Sequence, residues 1–184
     1  MNKIATLLCL FLLIPVSLHS TTVLKLSDRE LTHRAKTIFT GKCIQSKSFW
    51  TKDKRRIYTV YSFLVEKKIK GKSISQVLTL KQWGGSVDGY RYFIPGIATF
   101  RLNEQVFNFL TPKNKQEFQF TVGLAQGKFT ILRNRYGKKF LLRNTLGLRF
   151  QRGVKGRVEI IKDYDRFERK IRQYVLEEQE RRRK

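Results

Sequence analysis

Residues 55–68 read RRIYTVYSFLVEKK, and this run decides the fold. Ile57, Tyr61, Phe63 and Val65 fall on one parity, Tyr58, Val60 and Leu64 on the other, so the pattern predicts a long strand that is apolar on both faces. A strand bent through a small closed barrel needs that composition. The period stays at two on either side. Residues 37–50 read as a strand in which Gly41 marks a bulge or close approach. Residues 51–54 (TKDK) form a polar turn, and Gly71 ends the long strand. Residues 76–83 alternate Leu78 and Leu80 against Val77, Thr79 and Lys81, and stop at Gly84-Gly85. Residues 86–103 read as loop, 104–110 as strand, and Pro112-Lys113-Asn114-Lys115 as a stop. Phe118, Phe120, Val122 and Leu124 alternate with Glu117, Gln119, Thr121 and Gly123, which predicts a strand with one buried face. Residues 129–133 and 138–143 predict a hairpin around 134–137.

Helices are predicted at both ends. Ser27 and Glu30 are spaced as a capping box, Leu26 and Leu31 as a hydrophobic staple. Leu31, Ala35 and Ile38 follow as one narrow stripe, with His33 off it in solvent. Tyr164, Phe167, Ile171 and Val175 line one face of a C-terminal amphipathic helix over residues 163–179, and a basic tail follows. The expectation is a mainly β fold: a small antiparallel β-barrel with a short N-terminal helix and a C-terminal helix. The five-stranded oligonucleotide/oligosaccharide-binding barrel (OB-fold) fits the strand count, and a two-sheet sandwich is the alternative.

Residues 1–20 read as an export signal: Lys3, then an apolar run over 4–14, then Pro15 and Ser17 before a polar stretch. Cleavage is expected after Ser20, with an uncleaved anchor as the alternative; residues 21–160 then form the β-barrel domain, and 161–184 the C-terminal helix and tail. The protein is therefore expected in the periplasm or outside the cell. Lys3 is the only charged residue of the signal, so its removal takes 184 residues to 164 and the formal charge from +25 to +24. Cys43 and His33 remain as the only residues of their kinds. Cys43, in an apolar run, reads as an inert core thiol.

Several runs carry a resemblance: AKTIFTGKCIQS at 35–46, RRIYTVYSFLVEKKIKGK at 55–72, Trp83-Gly84-Gly85, FNFL at 107–110 and VGLAQGKF at 122–129. Together they resemble a set of uncharacterised small exported bacterial proteins over roughly residues 23–132, GLAQGKF being the most specific piece. Lys36 stands where those proteins carry Asp after the Ala. The order is more distantly similar to the netrin-like barrel of tissue inhibitors of metalloproteinases. That similarity implies the fold. It does not carry over the inhibitory mechanism, which uses an N-terminal Cys to chelate zinc, because the expected mature terminus here is Thr21.

Composition argues against an enzyme. One His and one Cys supply neither a His- or Cys-based triad nor a zinc site, and no phosphate-binding glycine motif is present. The fourteen acids are scattered, which leaves a weak carboxylate hydrolase as the remaining catalytic reading. No cofactor or metal is implied. The charge points to a binding module for an anionic envelope component or a protein partner, and the alternatives are a secreted protease inhibitor and a nucleic-acid-binding OB barrel. Export weighs against nucleic acid. Trp83, Tyr90, Arg91, Tyr92 and Lys128 are the candidate binding residues, because cations and stacking rings flank glycine turns near one end of the barrel. Packing of those rings in the core or rim is the competing reading. Gly84, Gly85 and Gly127 are expected at positive φ. The basic C-terminal helix offers peripheral membrane contact as a further reading.

Overall fold

The structure is a computed structural model and describes residues 22–71 and 75–183. The expected export signal and its cleavage site lie outside the described residues. Among the described residues, no helix is long and apolar enough to cross a membrane.

Helix α1 (Asp28–Arg34) starts as its sequence requires: the Ser27 amide donates to the Glu30 carboxylate (2.7 Å) and the Glu30 amide donates to Ser27 Oγ (3.2 Å). Leu26 and Leu31 are both buried in one cluster. The helix ends earlier than the apolar stripe. Ala35 is already extended, and Ile38 reaches the core from a strand.

The chain is mainly β. Seven strands form one antiparallel sheet: β2 (Thr37–Trp50), β3 (Ile57–Lys70), β4 (Val77–Trp83), β7 (Gln105–Leu110), β8 (Lys128–Arg133), β9 (Lys139–Asn144) and β11 (Val158–Ile161). Their order is β11-β9-β8-β7-β2-β3-β4. Strands β5 (Gly85–Val87) and β6 (Tyr90–Tyr92) form a small hairpin, and β1 (Thr22–Val23) pairs in parallel with β10 (Arg149–Phe150). Gln126 ties the start of the chain down further: its side-chain oxygen accepts from the Leu26 amide, and its side-chain nitrogen donates to the Leu24 carbonyl.

Strand β7 has the sequence QVFNFL, and its last five residues are all buried because both faces are covered. Phe107 and Phe109 join Ile38, Phe129, Ile131 and Leu141 beneath α2 (Tyr164–Arg181). Val106 and Leu110 join Phe39, Cys43, Tyr61, Phe63, Leu80, Ala98 and Phe100 on the other face. Two cores thus share one sheet. Asp163 caps α2 by accepting from the Arg166 amide (2.9 Å), and Tyr164, Phe167, Ile171 and Val175 are buried at the expected spacing. Each such side chain contributes about 1.5–3 kcal/mol of burial free energy. The ion pairs Lys67–Glu168 (2.8 Å), Lys70–Glu178 (2.6 Å), Lys170–Asp28 (2.5 Å) and Arg29–Glu177 (2.5 Å) fix its rotation.

Three expectations are corrected. Residues 118–124 are not a strand: Phe118, Gln119, Thr121 and Val122 are buried on both parities, and Gly123 and Leu124 at positive φ turn the chain into a 3-10 turn, Leu124–Gly127. Residues 86–103 are not all loop, since the hairpin lies within them. Gly84 and Gly85 do adopt positive φ; Gly127 does not, and is required because a Cβ there would stand 2.7 Å from the Val122 carbonyl oxygen.

Gly41 lies at a register shift between β2 and β3, and a Cβ there would meet the Leu64 carbonyl oxygen at 2.5 Å. Backbone cannot swing aside as a side chain can. Gly41→Ala should therefore destabilise the fold by about 2 kcal/mol, read as a lower urea midpoint with an unchanged slope; an unchanged midpoint would refute the close approach.

Candidate functional site

Three tripeptides share one pattern: Lys47-Ser48-Phe49, Arg56-Ile57-Tyr58 and Lys81-Gln82-Trp83. Register aligns them. Phe49 stands opposite Tyr58, and Tyr58 opposite Trp83, so three rings form a row across β2, β3 and β4 on one face of the sheet. Phe49 and Tyr58 stack at 5.6 Å between centroids. Phe118 completes the row, stacked on Trp83 at 4.0 Å and edge-on to Tyr58 at 5.8 Å.

The cations bracket this row. Lys47 and Lys81 lie opposite the two sides of Val60, one step along the strands. Lys81 Nζ sits 4.6 Å from the Tyr58 ring centre and 4.4 Å from that of Phe118; Lys47 Nζ sits 5.4 Å from that of Phe49. The Arg56 guanidinium approaches Trp83 at 5.6 Å from the other side. These contacts are favourable cation–ring geometry. Among the described residues, none of Lys47, Arg56 and Lys81 forms an ion pair, so their charge is uncompensated by protein carboxylates. Phe118 is buried and Phe49, Tyr58 and Trp83 are half-buried, so the row presents partly exposed rings edged with positive charge, suited to an anion that also carries a ring.

The candidate residues separate into three places. Trp83 belongs to the row, with one ring face covered by Phe118. Tyr90, Arg91 and Tyr92 form β6, whose hairpin is anchored on Thr59, which donates to the Gly84 carbonyl (2.7 Å), and on Ser48, which accepts from the Ser86 amide (3.4 Å). Tyr90 is 66% exposed and edge-on to Trp50, while Arg91 is exposed beside Phe93. Lys128 lies elsewhere. On β8, its ammonium contacts the Glu104 carboxylate (2.7 Å) and donates to the Thr99 carbonyl (2.5 Å), so its charge is already used.

The residues that sequence reading did not single out are Lys47, Phe49, Arg56, Tyr58, Lys81 and Phe118. The thrice-repeated basic-x-aromatic pattern was the available signal, but only register reveals that the three copies align. A second basic groove, about 360 Å³, lies between α1 and α2. Its Arg29 is engaged by Glu177 and Tyr174, and its Arg182 by Glu178, so it is more fully neutralised than the row.

Cys43 is buried, and burial pushes its thiol up. His33 is exposed on α1, its Nδ1 3.9 Å from Glu178. Among the described residues, no three His, Cys, Asp or Glu side chains converge as metal ligands would.

One buried and two half-buried carboxylates make the stability depend on pH. Burial would raise Glu104, Glu159 and Glu168, but Lys128, Arg143 and Lys67 respectively outweigh it and hold each below 4.5, the ordinary glutamate value. A lowered folded value means the added stability is complete above the unfolded value and is lost as pH falls through the folded one. The urea midpoint should therefore drop between pH 4.5 and strongly acid solution, and a midpoint unchanged across that window would contradict these pairings. No known family model, curated protein or solved structure matches the chain.

Proposed function

We propose that the chain is an exported, non-enzymatic binding module whose cation-edged aromatic row takes an anionic, sugar-bearing component of the cell envelope. The observation that carries this reading is the register-aligned row Phe49–Tyr58–Trp83, bracketed by Lys47, Lys81 and Arg56, which have no carboxylate partner among the described residues. Sugar rings present flat C–H faces that pack on aromatic rings, while carboxylate or phosphate groups meet the cations. The charge of +24 expected for the mature chain adds long-range steering.

The fold proposed for this module is a small OB-like or netrin-like barrel. Support comes from residues 118–122, which lie between β4 and β7: the Gln119 amide donates to the Lys81 carbonyl (2.9 Å), and Thr121 bridges Leu110. These contacts connect the two strands that flank β2-β3. The row would then lie on the barrel's outer wall. The resemblance to small exported bacterial proteins is consistent with this reading, and a protease-inhibitor role has no comparable support in the geometry.

Binding of a purified acidic polysaccharide, titrated against salt, tests the proposal. Lys47→Gln with Lys81→Gln should reduce the slope of log affinity against log salt by about two, one per lost cation contact, leaving the unfolding midpoint intact. Equal affinity for an uncharged polysaccharide, or an unchanged slope in the double variant, would overturn it. Single-stranded nucleic acid offers the same combination of charge and rings; displacement of the polysaccharide by an oligonucleotide at equal charge concentration would transfer the site to that ligand.

A further inference from the structure

The geometry points to a second binding mode, independent of the aromatic row: we propose that the free edge of β4, between Val77 and Lys81, takes an extended acidic peptide as an added strand. In an antiparallel pair, alternate residues turn both backbone groups toward the partner strand and the residues between turn them away. The Val65 amide donates to Gln76, and the Gly84 amide donates to Ile57, which sets the even-numbered residues of β4 toward β3. Val77, Thr79 and Lys81 therefore point their N–H and C=O groups outward.

Two of those groups are used. The Lys81 carbonyl accepts from the Gln119 amide (2.9 Å), and the Val77 carbonyl accepts from the Ser75 hydroxyl. The Val77, Thr79 and Lys81 amides and the Thr79 carbonyl have no partner among the described residues. They border a groove of about 400 Å³ whose opposite wall is Lys36, Thr37, Lys113 and Gln119. The seam is closed by Gln119 at Lys81 and open below it.

An unpaired edge beside an open groove is the geometry of strand addition. Donors two residues apart recur about every 6.6 Å, the repeat of another extended peptide. The occupant's charge follows from the lining: Lys36 and Lys113 line the groove and no carboxylate does; Lys113 is paired with Glu117 (2.6 Å), while Lys36 has no ion pair among the described residues and is the free cation for an acidic side chain. Edge-to-edge pairing of two copies would instead juxtapose these lysines and two strongly positive chains, so a second copy is disfavoured.

The probe is an acetylated, amidated octapeptide of alternating valine and glutamate, added to the full chain. Hydrogen exchange at the Val77 and Thr79 amides should slow by about tenfold on binding. Thr79→Pro removes an outward N–H that the fold does not use, and should weaken binding by about tenfold or more, while Thr79→Ala should stay within about twofold. The same octapeptide with alternate amides N-methylated keeps its charge and should not bind. Unchanged exchange at Val77 and Thr79, or equal binding of the N-methylated peptide, would overturn the proposal even if Thr79→Pro failed to fold. A concentration-dependent dimer formed through this edge, without peptide uptake, would also overturn it.

Discussion

Two-sided burial of β7 is the constraint on which the rest of the molecule depends. Its phenylalanines face α2 while Val106 and Leu110 face the aromatic core between β3, β4 and the 93–103 segment. A strand in that position must be apolar on both parities, and its neighbours must supply a cover for each face. On one side the cover is a helix whose Phe167 meets Phe107 and Phe129 edge-on or tilted at 5.2 and 4.9 Å. On the other, Ala98 and Phe100 are held by Gln82, whose side chain donates to the Ala98 carbonyl, and by Lys128. Lys128 is thus a strut of the second core, with Phe100 beneath its ammonium at 4.8 Å.

Charge is distributed by the same architecture. Most carboxylates that form ion pairs serve α2 and the strands beneath it, where Asp28, Glu168, Glu177 and Glu178 each hold a cation. That leaves the β2-β3-β4 face with cations and rings but few acids. Neutralisation is concentrated where the helix docks, whereas Lys47, Arg56 and Lys81 on the β2-β3-β4 face form no ion pair among the described residues.

The sequence disclosed the elements better than their assembly. Capping chemistry at Ser27 and Asp163 and the period-two runs of β2, β3 and β4 depend on neighbours within a few residues, so they were legible. The 118–124 run misled because its alternation is real but Gly123 and Leu124 impose left-handed backbone, which no period can reveal. Strand β11 is an edge strand with Val158 and Ile160 exposed, so Ile161 alone of its apolar residues packs against the core and no alternation marks the strand. The aromatic row was half legible: Trp83 was singled out, but Phe49 and Tyr58 join it only through cross-strand register. Lys128 shows the converse, a cation beside a glycine turn whose partner Glu104 could not be read from spacing.

The clamp on the first residues of the described chain has a kinetic consequence. Thr22–Val23 pair as a strand with Arg149–Phe150, and the Leu26 amide finds its acceptor a hundred residues downstream. Until that distant stretch has been synthesised, these hydrogen bonds cannot form. Completion of this seam is therefore a late event, limited by chain closure over a long loop.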